Sequence, residues 1–136
     1  MNQMITKAST PFQFASMFSL KDSKIIQRYY HKELYKISNL SLSQFAPEWA
    51  AIQRILSLRD ASYYNPVANV SKIGNTIGNW KKMLKKINSS LDNELSWYYE
   101  LTDSLPWDNI NHKLSRALLI KAFKQYCRKY VGSELC

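Results

Sequence analysis

VSKIGNTIGNWKKMLKKINSSL, residues 70–91, is the stretch whose reading decides the fold. Val70, Ile73, Ile77, Trp80, Leu84, Ile87 and Leu91 recur in it at alternating spacings of three and four. Residues at that spacing share one face of a helix and make a seam for packing against another helix. The pattern predicts one helix running through the whole stretch from Val70, interrupted or ended at Asn88-Ser89-Ser90, with its start upstream of Val70. Gly74 and Gly78, four apart, would leave a smooth backbone strip beside the seam. Each would also weaken the helix by roughly 1 kcal/mol relative to alanine.

The same periodicity extends upstream. Thr10-Pro11 is a helix start signal and predicts a short helix to about Leu20. Ile26, Tyr30, Leu34 and Ile37 place a second helix over Asp22–Ser38, and Pro47 opens a third from Glu48 to about Ala61. That third helix carries Trp49, Ile52, Ile55 and Leu56 on one side. Asn65-Pro66 starts the helix that holds the seam. Downstream, Ser89 or Ser90 caps a fifth over Leu91–Ser104. Asp108 or Asn109 caps a last one reaching Tyr130 or Val131, closed by Gly132. Alternating strand patterns, internal repeats and low-complexity segments are missing. The expectation is an all-α, compact bundle of five or six helices. The 136 residues form a single domain, with residues 1–9 frayed.

Three glycines and four prolines with 46% hydrophobic residues argue against disorder and against a turn-rich β fold. Cys127 and Cys136 form no CxxC and, with His31 and His112, offer no metal-ligand spacing, so they read as plain thiols. The opening MNQMITKASTPFQFASMFSLKD lacks a charged start followed by a long apolar block, which argues against a signal peptide. No apolar run approaches the roughly 20 residues of a membrane-spanning helix. A cytoplasmic protein follows from these readings, with neither a membrane nor a small-molecule substrate as partner.

Charge carries the functional reading. The net charge is +9, and its placement on the helices is uneven. Lys21, Lys24, Arg28, Lys32 and Lys36 line one side of the second helix with Tyr35 among them. Lys81, Lys82, Lys85 and Lys86 form a second basic face, and Lys121, Lys124 and Arg128 a third. Residues 61–91 hold five lysines and no acid, residues 92–108 five acids and no base, and residues 109–133 six bases and no acid. A solvated helix face usually mixes signs, because Glu–Lys pairs four apart help by roughly 0.2–0.5 kcal/mol. Lys81–Lys85, Lys82–Lys86, Lys24–Arg28, Arg28–Lys32 and Lys124–Arg128 are instead like-charge pairs, each costing about as much as such a pair would gain. Phosphates would relieve them and release counterions. The competing arrangement is internal pairing, with Asp92, Glu94, Glu100, Asp103 and Asp108 neutralising one of these faces.

Motifs for catalysis fail on inspection. The sequence has no glycine-rich phosphate loop, no Gly-x-Ser-x-Gly and no His-Glu-x-x-His. Helical HEPN ribonucleases place His four to six residues after Arg, whereas Arg28 and His31 are three apart. Thr76-Ile77-Gly78-Asn79-Trp80-Lys81-Lys82 resembles the recognition helix of helix-turn-helix DNA readers, where a Thr-Ile/Val pair precedes a core aromatic. The preceding segment departs from that motif at Pro66 and Asn69. Trp80 lies on the seam and reads as core, while Tyr35 is the better base-stacking candidate. Each of the pairs Tyr29-Tyr30, Tyr63-Tyr64 and Tyr98-Tyr99 is expected to put one ring in the core and one at its margin.

The expectation is therefore a non-enzymatic protein without cofactor or metal, contacting nucleic-acid backbones independently of sequence. An accessory subunit of a larger ribonucleoprotein complex has this size and charge, an analogy of architecture alone. The alternative is a protein-interaction module (an inhibitor, immunity factor or phage-encoded antagonist) docking on an acidic partner surface.

Overall fold

The computed structural model describes residues 4–110 and 113–132. The expected all-α fold is present, with six α-helices and no strand among these residues. They are α1 (Leu20–Leu34), α2 (Pro47–Leu58), α3 (Tyr64–Ile73), α4 (Ile77–Lys86), α5 (Leu91–Ser96) and α6 (Arg116–Tyr126). Short 3₁₀ turns cover Pro11–Phe14 and Ala61–Tyr63, and a π turn over Cys127–Val131 extends α6.

Two apolar clusters organise the packing. The first joins Ala51, Ile52 and Ile55 of α2 to Val70 of α3, Trp80, Met83 and Leu84 of α4, and Leu91 and Leu95 of α5. The second gathers Phe14, Leu58, Leu105, Trp107, Phe123 and Cys127. Helix α2 contributes to both, because its apolar stripe runs from Ala51 to Leu58.

The seam helix is not continuous. Its spacing of three and four carries on across a three-residue turn, Gly74-Asn75-Thr76, that divides it into α3 and α4. Gly74 has φ +106°, a conformation that favours glycine. Thr76 then caps α4, its side chain accepting from Asn79 N–H at 3.2 Å. Ile73 and Ile87, at the two broken ends of the pattern, are 51% and 39% exposed. The predicted glycine strip is thereby corrected: Gly74 makes the turn and Gly78 faces outward on α4. Pro66 falls in the first turn of α3, where a missing N–H is harmless.

Other boundaries shift for identifiable reasons. The predicted helix over Thr10–Leu20 is a single 3₁₀ turn, since Met17 N–H turns away to Leu95 O at 2.7 Å. Helix α1 starts at Leu20 because Ser19 caps it through Asp22 N–H, and Leu20 N–H donates to Asp92 Oδ1 at 2.8 Å. It ends at Leu34, short of Ser38. Helix α5 stops at Ser96, where Trp97 adopts extended backbone and sends its ring beneath Arg59. Helix α6 starts at Arg116 under a Ser115 cap, because Asp108 is already engaged by Leu105 N–H and Arg116.

The segment after residue 3 is anchored rather than frayed: Thr6 is fully buried and accepts from Arg54. Residues 1–3 of the predicted frayed end lie outside the described residues. Cys127 is buried and disulfide-bonded, which corrects its reading as a plain thiol; Cys136 lies outside the described residues. Disulfides are rare in reducing compartments, so the cysteines lend no support to a cytoplasmic location. Among the described residues no helix is long and apolar enough to cross a membrane.

Candidate nucleic-acid interface

Helix α4 is built to hold one face against the core and the other to solvent. Trp80, Met83 and Leu84 are buried in the first cluster, with Ile77 packed against it. Lys81, Lys82, Lys85 and Lys86 are all exposed. The turn before them is fixed from several directions. Asn79 Nδ2 donates to Ile73 O at 3.1 Å and to Gly74 O at 2.8 Å, satisfying carbonyls at the end of α3. Trp80 Nε1 donates to Asn75 Oδ1 at 2.8 Å. The core tryptophan therefore also sets the turn.

Among the described residues none of the four α4 lysines forms an ion pair; the pairs present are Lys24–Glu48, Lys36–Glu33, Arg59–Glu94 and Arg116–Asp108. The acidic segment is used elsewhere. Asp92 holds the start of α1, Asp103 accepts from Glu100 N–H, and Glu94 is buried inside the fold. Internal neutralisation of the α4 face by residues 92–108 is thus absent among the described residues.

The α1 stripe is less free. Lys24 is held by Glu48 at 2.5 Å and Lys36 by Glu33 at 3.0 Å. Burial pushes the Glu48 carboxyl up, but the Lys24 hydrogen bond, its own backbone and the charges of Lys24 and Lys81 together hold it below its ordinary value. Glu48 thus feels a lysine from α1 and, more weakly, a lysine from α4. Arg28 and Lys32 are exposed. Tyr35 is 83% exposed and stacks on His31, with centroids 5.8 Å apart and planes 14° apart. Lys121, Lys124 and Arg128 line a separate shallow groove of about 320 Å³ on α6, which packs into the second cluster. Lys121 and Lys124 are exposed; Arg128 is exposed but engaged.

Two features escaped the sequence reading. The first is a buried polar network. Arg54, 1% exposed, donates to Glu94 O at 2.9 Å, to Thr6 Oγ1 and to Trp97 O. Burial, then the nearby Arg59 charge, bring its pKa down to about 10 despite Glu94. The Glu94 carboxylate accepts from Arg59 at 2.7 Å, Tyr63 Oη at 2.6 Å and Ser89 Oγ at 2.5 Å. Arg59 also lies 3.6 Å over the Trp97 ring. Every buried side-chain polar atom among the described residues has a partner, so this is a fastening between α2, α5 and the first residues, not an open site. Its signal was an arginine standing among Ala50, Ala51 and Leu58 on the apolar face of α2.

The second is an apolar cleft of about 580 Å³ between α1, the Pro11–Phe14 turn and α6. Phe12, Met17, Phe18, Ile26, Tyr98 and Tyr126 line it, of which Phe18 is 62% exposed. The tyrosine pairs are also corrected: Tyr30, Tyr63 and Tyr99 are half-buried, their neighbours Tyr29, Tyr64 and Tyr98 exposed, and none of the six sits fully in the core. Among the described residues no three His, Cys, Asp or Glu side chains converge to hold a metal ion.

No protein-family model, curated protein or solved structure matches this chain.

Proposed function

We propose that this protein binds nucleic acid through its phosphate backbone, with the lysine face of α4 as the principal contact and the α6 stripe as a second, separate one. The supporting observation is the α4 face itself: four exposed lysines, two like-charge pairs four residues apart, and no ion pair among the described residues. A rigid core behind them fixes their spacing, and the acids nearest in sequence are committed elsewhere. Phosphates relieve the repulsion and release condensed counterions. The role is that of a non-enzymatic binding protein, suited to an accessory place in a ribonucleoprotein assembly.

Purified protein freed of bound nucleic acid, titrated with labelled DNA and RNA across a salt series, tests this. Affinity should fall with salt at a slope of about −0.9 per phosphate contacted on a duplex, or about −0.7 on single strands. Absence of affinity for any DNA or RNA at low salt would overturn the proposal.

One observation favours a second reading, docking on a protein partner. The apolar cleft and the exposed Ile25, Ile26 and Tyr29 of α1 form a surface richer in large apolar side chains than scattered exposure explains. An inhibitor or antagonist would use that side.

A further inference from the structure

We infer that α3, the 74–76 turn and α4 act as a helix-turn-helix whose second helix enters the major groove of duplex DNA, with Gly78 at the point of closest approach. This rests on the phosphate-binding reading and narrows it to one substrate class.

The turn is the first support. Two helices joined by three residues, with glycine opening the turn, can present the second helix as a projecting ridge. Here the turn between the two helices is locked, by Asn79 on the end of α3 and by Trp80 on Asn75. A helix that must sit in a groove needs such a fixed base.

The outward arc of α4 is the second. It consists of Gly78, Lys81, Lys82, Lys85 and Lys86, all exposed. Helical geometry puts Gly78, Lys82 and Lys85 near the middle of the arc, and Lys81 and Lys86 on its two flanks. A helix about 10–12 Å across matches a major groove about 12 Å wide. Flanking lysines then reach the phosphates of either wall.

Gly78 is the third and most particular. A Cβ at this position would meet Thr76 Oγ1 at 3.9 Å, an ordinary contact, and the residue has no positive φ. Neither packing among the described residues nor backbone conformation therefore calls for glycine, although it is a poor helix former. A missing side chain in the first turn of α4, in line with the cationic face that follows it, lets an external surface come close to the backbone there.

The face suits other nucleic acids less well. The aromatic residue of α4, Trp80, is buried and its N–H is bonded, so this face offers single strands no ring for stacking. Duplex RNA has a major groove too deep and narrow for such entry.

Gly78→Gln separates the possibilities, because glutamine favours helix and protrudes. The variant should melt at a higher temperature than the native protein and yet bind a DNA duplex on the order of tenfold more weakly in fluorescence anisotropy. A duplex whose cytosines carry glucosylated 5-hydroxymethyl groups, which fill the major groove, should bind weakly too, while a minor-groove ligand such as distamycin should not compete. Full duplex affinity in Gly78→Gln, or equal affinity for glucosylated and plain duplexes, would overturn the inference. So would preference for single strands or duplex RNA, or duplex binding lost on Lys121→Glu with Lys124→Glu but not on Lys82→Glu with Lys86→Glu; these outcomes leave phosphate binding standing. No binding to any nucleic acid removes both.

Discussion

Helices α1 and α4 read alike in sequence, each with an apolar row on one side and a row of cations on the other, but the fold uses them differently. In α4 the row is buried, with Leu84 wholly inside. In α1 the buried residue is Ser23, while of the row Ile26 is 37% exposed and Tyr30 and Leu34 are only half-buried. The cations differ in the opposite sense: those of α4 stand without ion pairs among the described residues, whereas Lys24 of α1 and Lys36 just past its end are paired. A helical period shows that a face exists. It does not show what covers the face, and here one apolar row meets a core while the other borders a cleft.

The sharpest way to break this contrast is to truncate both rows. Leu84→Ala should cost roughly 2–5 kcal/mol, whereas Ile26→Ala should cost less than about 1 kcal/mol. Equal losses in chemical denaturation would mean that α1 is as deeply packed as α4. Charge reversal sharpens the other half. Lys82→Glu with Lys86→Glu should weaken binding to unrelated sequences on the order of tenfold and flatten the salt slope, with thermal stability unchanged or slightly raised. Arg28→Glu with Lys32→Glu should do less. If α1 reversal proves the more damaging, the principal contact has been assigned to the wrong helix.

A smaller difference concerns stacking. Tyr35→Ala should leave duplex affinity unchanged; single-strand affinity should fall by roughly 1–3 kcal/mol if a base stacks there. Loss on duplexes alone would contradict this placement. The smallest effect joins the two helices at Glu48. Its folded pKa lies below the ordinary 4.5, so the unfolded chain takes up its proton first as pH falls. The stabilisation is present above pH 4.5 and lost as pH drops through the folded value. Glu48→Gln should therefore flatten the acid limb of a melting-temperature profile, and an unchanged limb would show that other carboxylates control it.

Much of the fold was legible because its signals are local. Pro47 marks the first residue of α2, Ser90 caps α5, and the lysine face of α4 follows from spacing alone. The break at Gly74 was not, because the apolar spacing passes through the turn without a change of phase. What ends α3 is the side chain of Asn79, which belongs to the next helix. The early stop of α5 similarly depends on Arg59, 38 positions before Trp97 in the chain. The candidate contacts were legible as residue types. Which cations are already paired was not, since Glu48 lies 24 residues from Lys24.

Gln13 is buried at 1% exposure, and its Oε1 accepts from Ser9 N–H at 2.9 Å and from Trp107 Nε1 at 3.0 Å, a partner 94 residues away. On a ribosome that separation is a delay. At about 5–20 residues per second, roughly 5–20 s pass between the synthesis of the glutamine and that of its partner. Throughout that interval Phe14 lacks Phe123, against which its ring packs at 5.9 Å in the finished protein. The first cluster, complete by Leu95, can assemble while the chain is still growing; the second must wait for synthesis of α6. Fragments ending near residue 100, once released from the ribosome, should accordingly protect α2 to α5 from proteolysis while leaving Phe12 and Phe14 open to cleavage and to chaperones.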